Sequence, residues 1–318
     1  MTTYKNIKGI EIKYLSADPP APNAGQVWYN SSSKVVKGAI NGVGAWASGS
    51  ALNTARSASA GAGTQTAGLA AGGSAATGAV ALSEEYDGTS WAEGHNLNSA
   101  RSVLVGLGTQ TAGLAFGGAQ SPRALSEEYD GTSWAEGNDL NQEGESRVGA
   151  GTQTAGIAAG GTPPVTNASE EYNGTSWTSV TNYPLSVAEI AAFGLQTASI
   201  FANGNPPRTT VANAYDGTNW TEIAETNTAR GQASGSGSST LGIIFGGAAP
   251  AVSALTEEWN GTSWTEVGDL ATARRAGASG SSSPGSLALN SGGFGTAASA
   301  VTEEWTLPAF TTKTFDTD

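Results

Sequence analysis

Polar and apolar positions along this chain fall into short blocks that return at steps of 43–45 residues, most plainly at Trp46, Trp91, Trp134, Trp177, Trp220 and Trp264. A second marker, two acids and an aromatic, stands at Glu84-Glu85-Tyr86, Glu127-Glu128-Tyr129, Glu170-Glu171-Tyr172, Glu257-Glu258-Trp259 and Glu303-Glu304-Trp305. The fourth copy reads Asn213-Ala214-Tyr215. A third marker is a double glycine, at Gly72-Gly73, Gly117-Gly118, Gly160-Gly161, Gly246-Gly247 and Gly292-Gly293, with Asn203-Gly204 in the fourth copy. Within one copy the blocks predict four strands, 102–108, 112–118, 125–130 and 133–140, lettered a to d. Thr109-Gln110 makes a tight a–b turn, and Asp130-Gly131 supplies the positive φ of a two-residue c–d hairpin.

Four antiparallel strands at a period in the forties are the blade of a β-propeller, so the fold class is all-β with six blades over 44–305. The a segments are mostly Gly, Ala and Ser, which suits six strands crowding at an axis, while Tyr and Trp of c and d fill the wider gaps farther out. After Trp46 the strands a, b and c appear six times but d only five. The missing d strand is therefore the first one, 44–52, and it is expected to pair with 301–305 and close the ring. Gly-Gly ending b, Glu-x-Tyr-Asp on c, Trp on d and Arg opening the next a resemble the kelch repeat, over roughly 44–305. The departures are an Ala-rich strand b and a fourth copy that has lost several marks.

Arg stands before or at the start of strand a at 56, 101, 147, 230 and 274, and the fourth copy, which lacks the acidic pair, has Val187 or Ala188 there. Joint presence and joint absence predict an ion pair inside each blade: Arg56 with Glu84 or Glu85, Arg101 with Glu127 or Glu128, Arg147 with Glu170 or Glu171, Arg230 with Glu257 or Glu258, and Arg274 with Glu303 or Glu304. A carboxylate pair could serve a glycosidase. A group repeated around a ring reads instead as structure, because catalysis needs it once.

Composition narrows the function. The 27 acids and 14 bases leave a net charge of -13, which argues against nucleic acid or an anionic membrane as partner. No Cys is present, so there is no disulfide or thiol chemistry. His95 is the only histidine, and a structural metal site wants several His or Cys ligands. No catalytic, metal or cofactor site is expected. Residues 1–8 lack the apolar core of a secretion signal, and no apolar run is long enough to span a membrane. The expectation is synthesis in the cytoplasm and no membrane insertion. Asn-Gly-Thr at 173–175 and 260–262 fits a glycosylation sequon, but reads as the same turn as Asp-Gly-Thr elsewhere. The Gly-rich stretch 235–238 lacks the Lys of a phosphate loop.

The a–b and c–d turns hardly vary, whereas the b–c loops (74–81, 119–124, 162–167, 205–210, 248–254, 294–300) and d–a loops such as 138–146 and 179–186 differ from blade to blade. In a kelch-type blade these variable loops share one face. That face would carry Arg123, Pro163, Pro164, Tyr183, Pro206, Pro207 and Arg208 as candidate partner-binding residues; drift in unconstrained loops would give the same variety. Both chain ends are expected to leave from the opposite face, as an N-terminal arm (1–43, with a small hairpin of 26–30 and 34–37) and a C-terminal tail (306–318). The arm, with its Gly-Gln-Val-Trp-Tyr-Asn run, resembles leader segments of bacteriophage structural proteins. The resemblance implies a non-enzymatic virion protein, made in the host cytoplasm. It would be anchored to other virion proteins through arm and tail, and its loop face would meet a host-surface glycan or protein. The alternative is a cellular kelch-type module that binds proteins or glycans.

Overall fold

The computed structural model describes residues 12–19, 26–40, 42–280, 285–308 and 311–315. The chain divides into two compact units, Ala45–Thr306 and a smaller one made of Met1–Gly44 with Leu307–Asp318.

In the second repeat of the larger unit, Val105–Thr109, Ala112–Phe116, Ser126–Tyr129 and Trp134–Glu136 lie side by side in that order, each pair antiparallel. Local chemistry sets the tight turn between the last two. Gly131 takes φ 88°, and the Asp130 carboxylate accepts the N–H groups of Thr132 and Ser133 at 2.8 and 2.7 Å. The chain thus reverses over a side-chain mimic of a turn. Tyr129 then stands opposite Trp134, with ring centres 4.9 Å apart. The same order recurs, so that among the described residues the larger unit holds five four-stranded sheets.

A further sheet has three strands, Leu287–Ser291, Thr302–Thr306 and Ala45–Gly49. The last two pair antiparallel with Trp46 opposite Trp305 and Ala45 opposite Thr306. Segment 276–280, which takes the place of this sheet's inner strand, meets the ladder at one bridge, Ala278 to Ser291, and forms no strand of its own. Residues 281–284 lie outside the described residues. The innermost strands Ala60–Thr64, Val105–Thr109, Val148–Thr152, Ala191–Leu195 and Ser234–Ser238 each touch the next in turn, and Leu287–Ser291 touches both Ser234–Ser238 and Ala60–Thr64. The sheets are arranged radially, as the blades of a β-propeller.

Small residues near the axis are a steric requirement. A Cβ on Gly61 would stand 2.3 Å from the Ser279 amide nitrogen, and one on Gly106 would stand 2.6 Å from that of Gly61. Gly61→Ala is expected to cost about 1–3 kcal/mol, the usual range for overpacking. The readout is the urea midpoint at unchanged slope, and a wild-type midpoint would show that the inner strands spread freely. Farther out the blades meet through large side chains. Leu107, Leu114, Phe116 and Leu140 of one repeat pack on Ala158, Tyr172 and Trp177 of the next, with Phe116 and Trp177 4.8 Å apart edge to face.

In the smaller unit Lys13–Leu15 runs parallel to Val27–Asn30, which pairs antiparallel with Val35–Ile40, which in turn pairs with Thr311–Phe315. The expected hairpin is there, and what the sequence separated as arm and tail supplies one sheet. The Thr-rich 311–315 segment, β-prone by composition, finds an edge to pair with. Trp28 is fully buried and donates its indole N–H to Asp18 at 3.0 Å, beside Asn30 at 2.8 Å and Lys37 at 2.7 Å. These donors, Lys37 foremost, hold the Asp18 carboxyl at a pKa of about 2.

Candidate functional site

Period-two alternation sends the two acids of each repeat to opposite faces of the blade. In the second repeat Glu127 and Tyr129 face the preceding blade and Ser126 and Glu128 the following one. Glu127 meets Arg101 of its own blade at 2.8 Å, both side chains buried. The equivalent pairs are Arg56–Glu84 at 3.2 Å, Arg147–Glu170 at 3.2 Å, Arg230–Glu257 at 2.9 Å and Arg274–Glu303 at 3.2 Å. Each pair also ties loops down. Arg101 donates to the carbonyls of Gly117 and Leu125 at the b–c loop, and Glu127 accepts the Asn98 N–H of the d–a loop at 2.6 Å. Burial lowers the proton affinity of each guanidinium, and the facing carboxylate opposes that shift.

Arg147 reaches its slot from a different place in the chain. Gly144 stands where the other blades have Arg, three residues earlier, and the Arg147 stem runs back past it: a Cβ on Gly144 would lie 3.7 Å from Arg147 Cγ. The fourth blade replaces the pair altogether. Val187 is buried, Asn213 is buried, and Tyr183, where other blades have Leu97 or Leu140, fills the space. The Asn213 amide donates to the Tyr183 hydroxyl at 3.1 Å. The placement of Tyr183 on the partner-binding face is therefore corrected: its side chain is fully buried, because the vacated ion-pair slot needs a large, hydrogen-bonding filler.

The second acid was not resolved from the first in the sequence, and it has a separate task. Glu85, Glu128, Glu171 and Glu304 accept the hydroxyls of Tyr129, Tyr172, Tyr215 and Tyr86 in the neighbouring blade. The sequence held a sign of this. The blade with Ala214 in place of the acid is followed by the one with Trp259 in place of Tyr. Glu258 faces a blade with Trp305 instead of Tyr, and burial raises its pKa. A second clasp comes from the a–b turns, where Gln110 Nε2 donates to the carbonyls of Gly68 and Tyr86 in the preceding blade, at 3.1 and 2.8 Å. Gln153 and Gln196 repeat this, and Gln65 reaches the Trp305 carbonyl at 3.0 Å. The near-constant Thr-Gln-Thr turn is thus explained by contact between blades.

Burial, with the neighbouring carboxylate, raises the phenol pKa of Tyr86 to about 12 and of Tyr129, Tyr172 and Tyr215 further in the same direction. Burial takes Tyr183 to about 12, against the opposing effect of its hydrogen bond with Asn213. An unfolded Tyr ionises near pH 10. The folded state holds these protons longer, so the stabilisation is complete below pH 10 and is lost as pH rises from about 10 towards 12 and beyond. Tyrosinate absorbance is expected to appear together with the loss of strand signal in circular dichroism. Ionisation of these phenols in a still-folded chain would contradict the clasp.

Just ahead of the inner strands, and at the equivalent place in the last sheet, six non-glycine residues take left-handed backbone, one per repeat: Ala58, Val103, Ser146, Glu189, Gln232 and Ala276, with φ from 51° to 60°. The conformation costs about 1–2 kcal/mol per residue and is held by a belt of backbone bonds. Ala58 N–H donates to Ala276, Val103 to Ala58, Glu189 to Ser146, Gln232 to Glu189 and Ala276 to Gln232, at 2.8–3.1 Å. No shared residue type marks these positions, since Ala, Val, Ser, Glu and Gln all hold the one conformation. The belt rims a cavity of about 190 Å³ at the axis. Around the rim Ser146, Glu189 and Gln232 are polar, and Ala58, Val103 and Ala276 are apolar. Glu189 accepts Gln232 Nε2 at 2.7 Å on one oxygen and Asn205 Nδ2 at 3.1 Å on the other.

The d–a and b–c loops lie together beside this rim, bridged at Ser57–Ser74, Glu145–Thr162, Ala188–Asn205, Gly231–Ala248 and Arg275–Phe294. Pro163, Pro164, Pro206, Pro207 and Arg208 are exposed and Arg123 half-buried. Both arginines are tethered through Nε to loop carbonyls, Arg123 to Ala119 at 3.3 Å and Arg208 to Ala248 at 3.1 Å. Among the described residues no group of three or more His, Cys, Asp or Glu gathers as metal ligands would, and no helix is long and apolar enough to cross a membrane.

No family model matches the sequence, and no curated protein matches it either. Among solved structures the chain is similar to that of YjhT, a kelch-like β-propeller protein, at 14% identity and a TM-score of 0.66, over 80% of this chain and 95% of that one. The likeness is one of fold.

Proposed function

We propose that this chain is a non-enzymatic virion structural protein of a phage, anchored through residues 1–43 and 306–318, with the variable loop face turned to a host-surface glycan or protein. The β-propeller suggests an interaction or sugar-related module. The observation that carries the finer reading is the smaller unit, in which strands from both chain ends make one sheet around the buried Trp28. A folded unit of this kind suits attachment to a larger particle, and Val27–Asn30 of the leader-like run forms one of its strands. Against catalysis, the first acid of each pair is buried on its Arg, and four of the second acids are bonded to Tyr of the next blade.

Mass spectrometry of gradient-purified particles tests the reading. The chain should be present in fixed ratio to the major structural protein, and chains lacking 1–43 or 306–318 should be missing from particles. Recovery of the chain only from particle-free cell extract would overturn it in favour of a cellular interaction module.

A further inference from the structure

We infer that the axial cavity is a binding site for a primary ammonium group on a short apolar stem, seated on Glu189. Three observations converge. The cavity is bounded by Val103, Val105, Val148 and Ile190 on its apolar side, a wall suited to methylene groups. Its volume of about 190 Å³ suits a small organic ion. At the rim, the polar groups are mostly acceptors. A carboxylate offers about four lone-pair sites, and Glu189 has two donors in hand, the amides of Gln232 and Asn205. With its amide nitrogen given to Glu189, Gln232 has its carbonyl oxygen to offer, and Ser146 adds a hydroxyl. An ammonium brings three donors and no acceptor.

Charge separates this ligand from a neutral polyol. Among the described residues no Lys or Arg lies within ion-pair distance of Glu189; the ion pairs present involve other acids. Arg147 also borders the cavity, but its guanidinium is committed to Glu170 at 3.2 Å and to the Gln142 carbonyl at 2.6 Å. Glu189 is thus a carboxylate with polar support, no counter-charge and an apolar wall beside it. The backbone belt fixes Glu189 in position before any ligand arrives, which reduces the ordering cost of binding. The assignment does not depend on where the protein resides.

The test is calorimetric titration of the full chain with n-butylammonium chloride and, separately, n-butanol. Saturable one-to-one binding of butylammonium is expected, with butanol at least about tenfold weaker, as for the loss of a charged hydrogen bond. In Glu189→Gln, with its melting temperature checked against wild type, butylammonium should weaken by a similar factor. A second series needs only the wild-type chain. Affinity should rise from methylammonium to butylammonium as the stem covers the valines, and rise no further at octylammonium, which outgrows the cavity. Equal binding of butanol and butylammonium, an unchanged affinity in Glu189→Gln, or no saturable binding of any amine would each overturn the assignment. Putrescine and N-acetyl-lysinamide then distinguish a free diamine from a protein side chain as the source of the group.

Discussion

Arg101→Ala is expected to lose about 3–5 kcal/mol of unfolding free energy, most of a typical domain's margin, because Glu127 is left charged and buried without its partner. The carboxylate cannot turn to water: it is buried, and it also accepts the Asn98 N–H. On the other side, the carbonyls of Gly117 and Leu125 lose their donor, so the b–c loop loosens with the d–a loop. The pair need not be ionic to be stable, and the fourth blade shows an alternative. Transplanting that solution as Leu97→Tyr, Arg101→Val and Glu127→Asn is expected to recover most of the loss, since Tyr183 and Asn213 satisfy each other in the same slot. Urea unfolding of the single and triple variants separates the cases. A loss below about 1 kcal/mol for Arg101→Ala, the range of an exposed pair, would refute the buried-pair account.

The closing strand should have an effect of similar size. A chain beginning at Ser50 is expected to be less stable than one beginning at Gly42 by about 4 kcal/mol or more, from the lost ladder and the lost aromatic packing. Ala45–Gly49 supplies the outer edge of the last sheet. Trp46 lies 4.7 Å from Phe245 and 5.6 Å from Trp305, and donates its indole N–H to Thr256 of the preceding blade at 3.0 Å. Without it, strand Thr302–Thr306 becomes an unprotected edge and a site for aggregation. Differential scanning calorimetry of the two truncated chains reads the difference. Equal melting temperatures would mean that the last sheet stands without its N-terminal strand.

The repeat of Trp, paired acids and double glycine was enough to give the strand order within a blade, and the strand count predicted the pairing of the first Trp segment with the last acidic one. Those features are local or periodic, so they survive in a linear text. The joint loss of Arg and acid in the fourth copy pointed in the same way to the ion pair. What only the tertiary structure decided was the direction of each side chain between blades. Glu127 and Glu128 are chemically identical neighbours, and only the pleat, with a blade on either side, gives one to Arg101 and the other to Tyr172. Arg147 and Tyr183 reach their places across gaps that sequence spacing does not measure. The axial rim was invisible for a deeper reason: a left-handed turn held by a neighbour's carbonyl is a property of the radial arrangement of sheets, and residues as unlike as Val103, Glu189 and Gln232 adopt it.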